Sequence, residues 1–201
     1  MTYFNKTLAS LQPSKSVTLM AKTKSLQKTD PDIINLTGGE PDFDTPKPIC
    51  DEAARQLQAG YTHYTDGPGD PDLRRALAGK LRDENHAPYA PENILITPGA
   101  KYAVYLAVHA VLNPGDEAMW LTPGWVSYPS IIQACGGVPV AVNLKCEEEY
   151  RISLEALESA VSEKTRLLII NFPNNPTGKV LSPEDRQALT CFLQKHPRII
   201  L

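Results

Sequence analysis

The sequence predicts an α/β fold, a mostly parallel sheet sandwiched by helices. Three observations predict it. Short apolar runs alternate along the chain with longer stretches whose apolar residues recur three and four apart, the pattern of strand followed by helix. Several helical stretches open on a capping side chain followed by proline. The unusual loops, rich in Pro, Gly and Asn, follow the apolar runs, which is where ligands sit in a sheet of this kind. With 201 residues, 42% of them hydrophobic and 21% charged, the chain has enough apolar material for a sizeable core.

Each element follows in order. Residues 1–29 carry lysines but no acid, and no apolar signal core, and are expected to form a flexible arm. Prolines in PDFDTPKP, near 41–48, separate this arm from the α/β body. Helices are expected at 48–59, 71–85, 99–112, 126–135, 153–163 and 183–195. Asp70-Pro71 and Ser182-Pro183 place a cap before a proline at the first helical position, and Ser182 has Asp185 three residues on, a capping-box pair. Between the helices, strands are expected at 94–96, 118–121, 138–142, 166–171 and 199–201.

Composition narrows the partners. A net charge of −3 argues against nucleic acid or an anionic membrane, both of which call for a clustered basic surface. No apolar stretch approaches the roughly 20 residues of a membrane span. The four cysteines lie far apart, with no CxxC pair and no histidines at zinc-ligand spacing, so they are expected to be reduced and mostly buried in a cytoplasmic protein. GxGxxG and GxxxxGK[ST] are absent; Gly178-Lys179 is followed by Val180. A small molecule is the expected partner.

Three loops carry chemistry. Thr97-Pro98-Gly99-Ala100-Lys101 turns into a helix, so it offers backbone N–H groups at the positive end of a helix dipole, a site for phosphate or simply a strand-to-helix turn. TPGWVSYP sets Trp125 in a Pro/Gly-rich loop, where the indole is either core or a face for a flat ring. NFPNNPTG (171–178) fixes Asn175, whose amide both donates and accepts, between two prolines. Together, a phosphate cradle, a stacking ring and a fixed amide suit a phosphorylated heteroaromatic ligand with a ring hydroxyl. Pyridoxal phosphate fits.

At these residues the sequence resembles the class I/II aminotransferases of the aspartate aminotransferase superfamily, the fold type I pyridoxal-phosphate enzymes, and bacterial aspartate aminotransferase-like members among them. LTGGEPDFDTP (36–46), YTDGPGDPDLRRAL (64–77), ITPGAKYAV (96–104), LNPGDEAMWLTPGWVSYP (112–129) and NFPNNPTG occur in the family's order and spacing. The resemblance implies a 1–45 N-terminal arm and small-domain segment, then an incomplete cofactor-binding large domain over 46–201. It implies a role for each matching position. Gly39 brings backbone to a substrate carboxylate, and Tyr64 reaches the cofactor phosphate of a neighbouring subunit, which makes the protein a homodimer. Gly99, Ala100 and Lys101 form the phosphate turn, with Lys101 either meeting a dicarboxylic substrate or simply solvated. Trp125 stacks on the pyridine and Asn175 bonds its 3′-oxygen, both also bordering the substrate. The bonds before Pro123 and Pro176 are expected to be cis.

The implied activity is amino-group transfer between an amino acid, acidic or aromatic, and a 2-oxo acid; β-elimination or carbon–sulfur cleavage on the same fold is the alternative, and an inactive product a third. The chain departs from the family at Ala100, where many relatives have a hydroxyl or a second glycine, and decisively in a second respect. None of its lysines has the family's Ser-x-Ser-Lys context, so the Schiff-base lysine is expected beyond residue 201, the sheet is expected to be cut before it is complete, and the 201 residues alone are expected to be an inactive fragment.

Overall fold

The computed structural model describes residues 15–39 and 41–201, together with Ala9 and Leu11. These fall into two compact units: the described residues up to Thr37 with Val104–Leu201, and Gly38–Ala103. In chain order the elements are α1 (Lys15–Leu26), α2 (Lys47–Gln58), α3 (Pro71–Asn85), α4 (Ala100–Val111), β1 (Glu117–Thr122), α5 (Tyr128–Ala134), β2 (Val138–Asn143), α6 (Leu154–Ala160), β3 (Thr165–Ile169) and α7 (Pro183–Lys195). The boundary between the units falls inside α4.

The first unit contains the sheet, three parallel strands in the order β2-β1-β3. Parallel neighbours need crossovers, and α5, α6 and α7 lie in the connections that follow β1, β2 and β3. Successive side chains of a strand point to opposite faces, and β1 and β3 bury residues on both. Met119, Leu121 and Leu168 enter a core with Val142, Ile152, Leu157, Leu189 and Phe192. Their neighbours Ala118 and Leu167 enter another core, with Val108, Leu112, Ile131 and Ile132. Each large side chain so buried stabilises the fold by about 1.5–3 kcal/mol.

The second unit is held differently. α2 buries no residue and α3 buries only Ala78. Its order comes from polar contacts. Asp70 caps α3 by accepting from the Leu73 amide at 2.8 Å, and the Tyr61 hydroxyl donates to the same carboxylate. The Arg74 guanidinium donates to the carbonyls of Pro91 and Ile94, and the Ile96 amide donates to the Pro68 carbonyl.

Several expectations need correction. Residues 94–96 are not a strand; Ile94 is extended, but the backbone groups of Ile94 and Ile96 bond to the Pro91 and Pro68 carbonyls and to Arg74, and no described strand pairs with them. The run 199–201 contributes a single parallel bridge, Ile200 to Leu167. Part of the expected flexible arm is α1; its residues 1–8, 10 and 12–14 lie outside the described set. The cysteines are free but not mostly buried: Cys135 is buried and Cys191 half-buried, whereas Cys50 and Cys146 are exposed. No helix among the described residues is long and apolar enough to cross a membrane.

Candidate functional site

Two of the three loops belong to the first unit, and both leave the carboxyl ends of adjacent strands. β1 runs into Thr122-Pro123-Gly124-Trp125 through a cis Thr122–Pro123 bond. The Thr122 hydroxyl donates to the Asn143 side-chain oxygen at 2.7 Å and so joins the ends of β1 and β2. Gly124 is required by close approach: a Cβ there would collide with the Leu121 carbonyl and stand 3.3 Å from the Trp120 ring. The next residue, Trp125, is half-buried. Its indole meets the Tyr128 ring edge-on at 5.2 Å and packs against the core under α4 and α5. Core and exposed face are therefore both present in one side chain.

Beyond β3, the loop 171–179 contains cis bonds before Pro173 and Pro176; the latter matches expectation and the former adds to it. Asn174 closes this loop. Its amide nitrogen donates to the Lys179 carbonyl at 2.8 Å, its carbonyl accepts from the Gly178 amide at 2.7 Å, and its side-chain nitrogen donates to Thr177 Oγ1 at 2.8 Å. The same side-chain nitrogen donates across to the Pro123 carbonyl at 3.0 Å. One residue thus staples the Trp125 loop to the Asn175 loop. Asn175 itself is exposed, and its carboxamide has no hydrogen-bond partner among the described residues.

The loop's far end is anchored by charge. Lys179 Nζ lies 3.0 Å from Asp185 Oδ2, the lysine side chain 15% exposed and the aspartate fully buried. Asp185 also accepts from the amides of Ile152 at 2.7 Å and Ser182 at 3.0 Å, the latter completing the expected capping box of α7. Burial pushes the carboxyl up, but the Ile152 and Ser182 amides and the Lys179 ammonium outweigh it and hold it below the usual carboxylate range.

The remaining candidates belong to the second unit. Gly99 stands at the head of α4 with φ of +89°, a conformation that suits glycine, and a Cβ built on it meets nothing within 4 Å. Ala100 and Lys101, in the first turn, are exposed. Gly39 is exposed, with open space around it. Tyr64 is fully exposed, so it does not pack beside α3. It borders a cleft of about 350 Å³ with Tyr61, His63 and Asp70. There the hydrogen bond to Asp70 raises the Tyr61 hydroxyl and lowers the aspartate. A cavity of about 430 Å³ opens elsewhere, beside the start of β3 and the end of α7, and touches none of the candidate residues.

Sequence reasoning missed Asn174, Lys179 and Tyr61, and saw Asp185 only as a cap. For Lys179 and Asp185 the signal was two opposite charges near a helix start; nothing local marked Asn174 apart from its neighbour.

A parallel α/β sheet whose strand ends carry these loops defines a protein of the aspartate aminotransferase fold, fold type I. The chain belongs to the family Aminotransferase class I and II, whose model matches residues 31–201. Among particular proteins, it is 43% identical to a probable aspartate/prephenate aminotransferase of Aquifex aeolicus, over 90% of this chain and 46% of that one. It is 41% identical to an aspartate aminotransferase of Bacillus sp. YM-2, over 87% of this chain and 45% of that one. The structure of Thermus thermophilus aspartate aminotransferase with maleate superposes with a TM-score of 0.92 at 39% identity, covering 98% of this chain and 51% of that one. The chain spans about half the length of these relatives.

Proposed function

We propose that this chain carries the pyridoxal-phosphate-binding part of an aminotransferase that moves an amino group between an amino acid and a 2-oxo acid. The family supports the reaction class. Aspartate in the names of the relatives, and the dicarboxylate maleate in the Thermus structure, support an acidic substrate. When bound, the cofactor supplies an electron-withdrawing ring that makes amino-group transfer possible.

The observation that carries the reading is the staple between Asn174 and the Pro123 carbonyl. It sets a half-covered indole and an uncommitted carboxamide on neighbouring loops at adjacent strand ends. These residues fit a flat, hydroxylated ring. In this reading Trp125 stacks on the ring and Asn175 donates to its 3′-oxygen. Gly99, Ala100 and Lys101 bind its phosphate through the head of α4, and Tyr64 reaches the phosphate of a second copy in a homodimer. Gly39 approaches the substrate carboxylate with backbone alone, and Lys101 favours a dicarboxylic substrate. The protein acts in the cytoplasm.

The test is calorimetric titration of the chain with pyridoxal phosphate. Saturable binding weakened roughly tenfold by Asn175→Ala, the effect of losing a hydrogen bond to a charged oxygen, is the expected result; no binding, or binding indifferent to Asn175, overturns the reading. We further propose that the Schiff-base lysine is not among these 201 residues and that they are inactive alone. Borohydride treatment with cofactor should then give no adduct at any one lysine on peptide mapping; a single stoichiometric site would refute this.

A further inference from the structure

We propose that the Lys179–Asp185 pair is a positioning device for the Asn175 carboxamide, so that a buried charge pair sets the protein's preference for the ring's 3-oxygen. The inference rests on the reading of Asn175 given above and deepens it.

Among the described residues, Asn175 makes no hydrogen bond that would aim it. Its direction is inherited from the residues on either side, and these are gathered by Lys179. The Lys179 carbonyl accepts from the Asn174 amide at 2.8 Å, and the Lys179 amide donates to Thr177 Oγ1 at 3.3 Å, the same oxygen that accepts from the Asn174 side chain. Lys179 therefore closes the turn that displays Asn175. Its own place is fixed by Asp185, which is fully buried and already bonded to two backbone amides, one at the entrance to α6 and one at the entrance to α7. Asp185 cannot shift without breaking both bonds. The lysine ammonium is the cation bonded to that carboxylate, and so the turn is pinned to two helix starts rather than left to the loop's own stiffness.

A residue that only supported the fold would affect every ligand alike. A residue that aims Asn175 affects only ligands that possess the 3-oxygen. The experiment compares calorimetric affinities of the chain for pyridoxal phosphate and for 3-deoxypyridoxal phosphate. The unaltered protein should prefer the former roughly tenfold, through one hydrogen bond to a charged oxygen. Lys179→Met should abolish that preference while leaving the affinity for the deoxy compound within about twofold. Lys179→Arg, which keeps the charge, should retain it, and N175A/K179M should show no loss beyond N175A. If K179M weakens both ligands equally, or neither, the inference is overturned and Asn175 keeps its role. If Asn175→Ala leaves the preference intact, the reading of Asn175 falls, and the inference with it. Should K179M not fold by circular dichroism, K179M/D185N, which leaves no uncompensated buried charge, takes its place against the same two ligands. Loss of the preference in that double variant supports the inference, and equal weakening of both ligands, or of neither, overturns it.

Discussion

The two units reach local order by opposite means. In the unit built on β1, β2 and β3, every strand feeds a buried core, and caps and ion pairs ornament packing that is already decisive. In the unit from Gly38 to Ala103, Ile49, Leu57, Leu73 and Tyr89 stand exposed, and the caps and the Arg74 clamp carry the order themselves. The difference teaches that helix content alone says little about cohesion. α2 and α7 are equally regular, yet α7 buries Leu189, Phe192 and Asp185 whereas α2 buries nothing.

The comparison is broken most severely in the first core. Phe192→Ala should destabilise the chain by about 3–5 kcal/mol, read from urea unfolding followed by the fluorescence of Trp120 and Trp125, which pack against the core on the sheet's other face. Next comes the buried pair. Lys179→Met strands the Asp185 carboxylate and should cost about 3–4 kcal/mol on the same scale.

That pair also gives the first unit a dependence on acid. The Asp185 carboxyl is lowered in the folded state, so its contribution is complete above the unfolded value, about pH 4, and is lost as pH falls through the lower folded value. Urea midpoints should therefore decline more steeply between about pH 5 and pH 2 in the unaltered chain than in Asp185→Asn. Equal slopes would mean that the carboxylate is not the group being titrated.

In the second unit, Arg74→Met removes donors from the Pro91 and Ile94 carbonyls and should cost about 1–3 kcal/mol. Hydrogen exchange should speed up around residues 91–96 and remain unchanged in β1. The smallest effect is expected on α2. The Arg55 and Gln56 side chains lower the Glu52 carboxyl to about 2, but the pair is exposed, so Glu52→Gln should move the midpoint least, and high salt should erase the difference.

Much of this was legible in the sequence because its causes are local. The caps at Asp70 and Ser182 sit where hydroxyl or carboxylate precedes proline, and the strands 118–121 and 138–142 are short apolar runs between helical periods. What escaped has causes outside any window. Ile94, Leu95 and Ile96 look like a strand, but strandhood needs a partner, which no run of three residues can reveal. α1 escaped because its apolar residues are weakly patterned, and Val17, Leu19 and Leu26 are exposed. Asn174 and Asn175 are chemically identical neighbours; only the approach of Pro123, 51 positions away, makes the first a staple and leaves the second on display. The Ile152 amide meets Asp185 across 33 positions, a distance no periodicity can bridge.

The ties from Thr122 to Asn143 and from Asn174 to Pro123 lace three neighbouring strand ends into one rim. Neither tie uses Trp125 or Asn175, so the scaffold and the groups it exhibits are separately mutable. A descendant of this chain could exchange either displayed side chain for another and acquire a different ligand while the rim stayed whole, which makes this edge of the sheet a place where new chemistry comes cheaply.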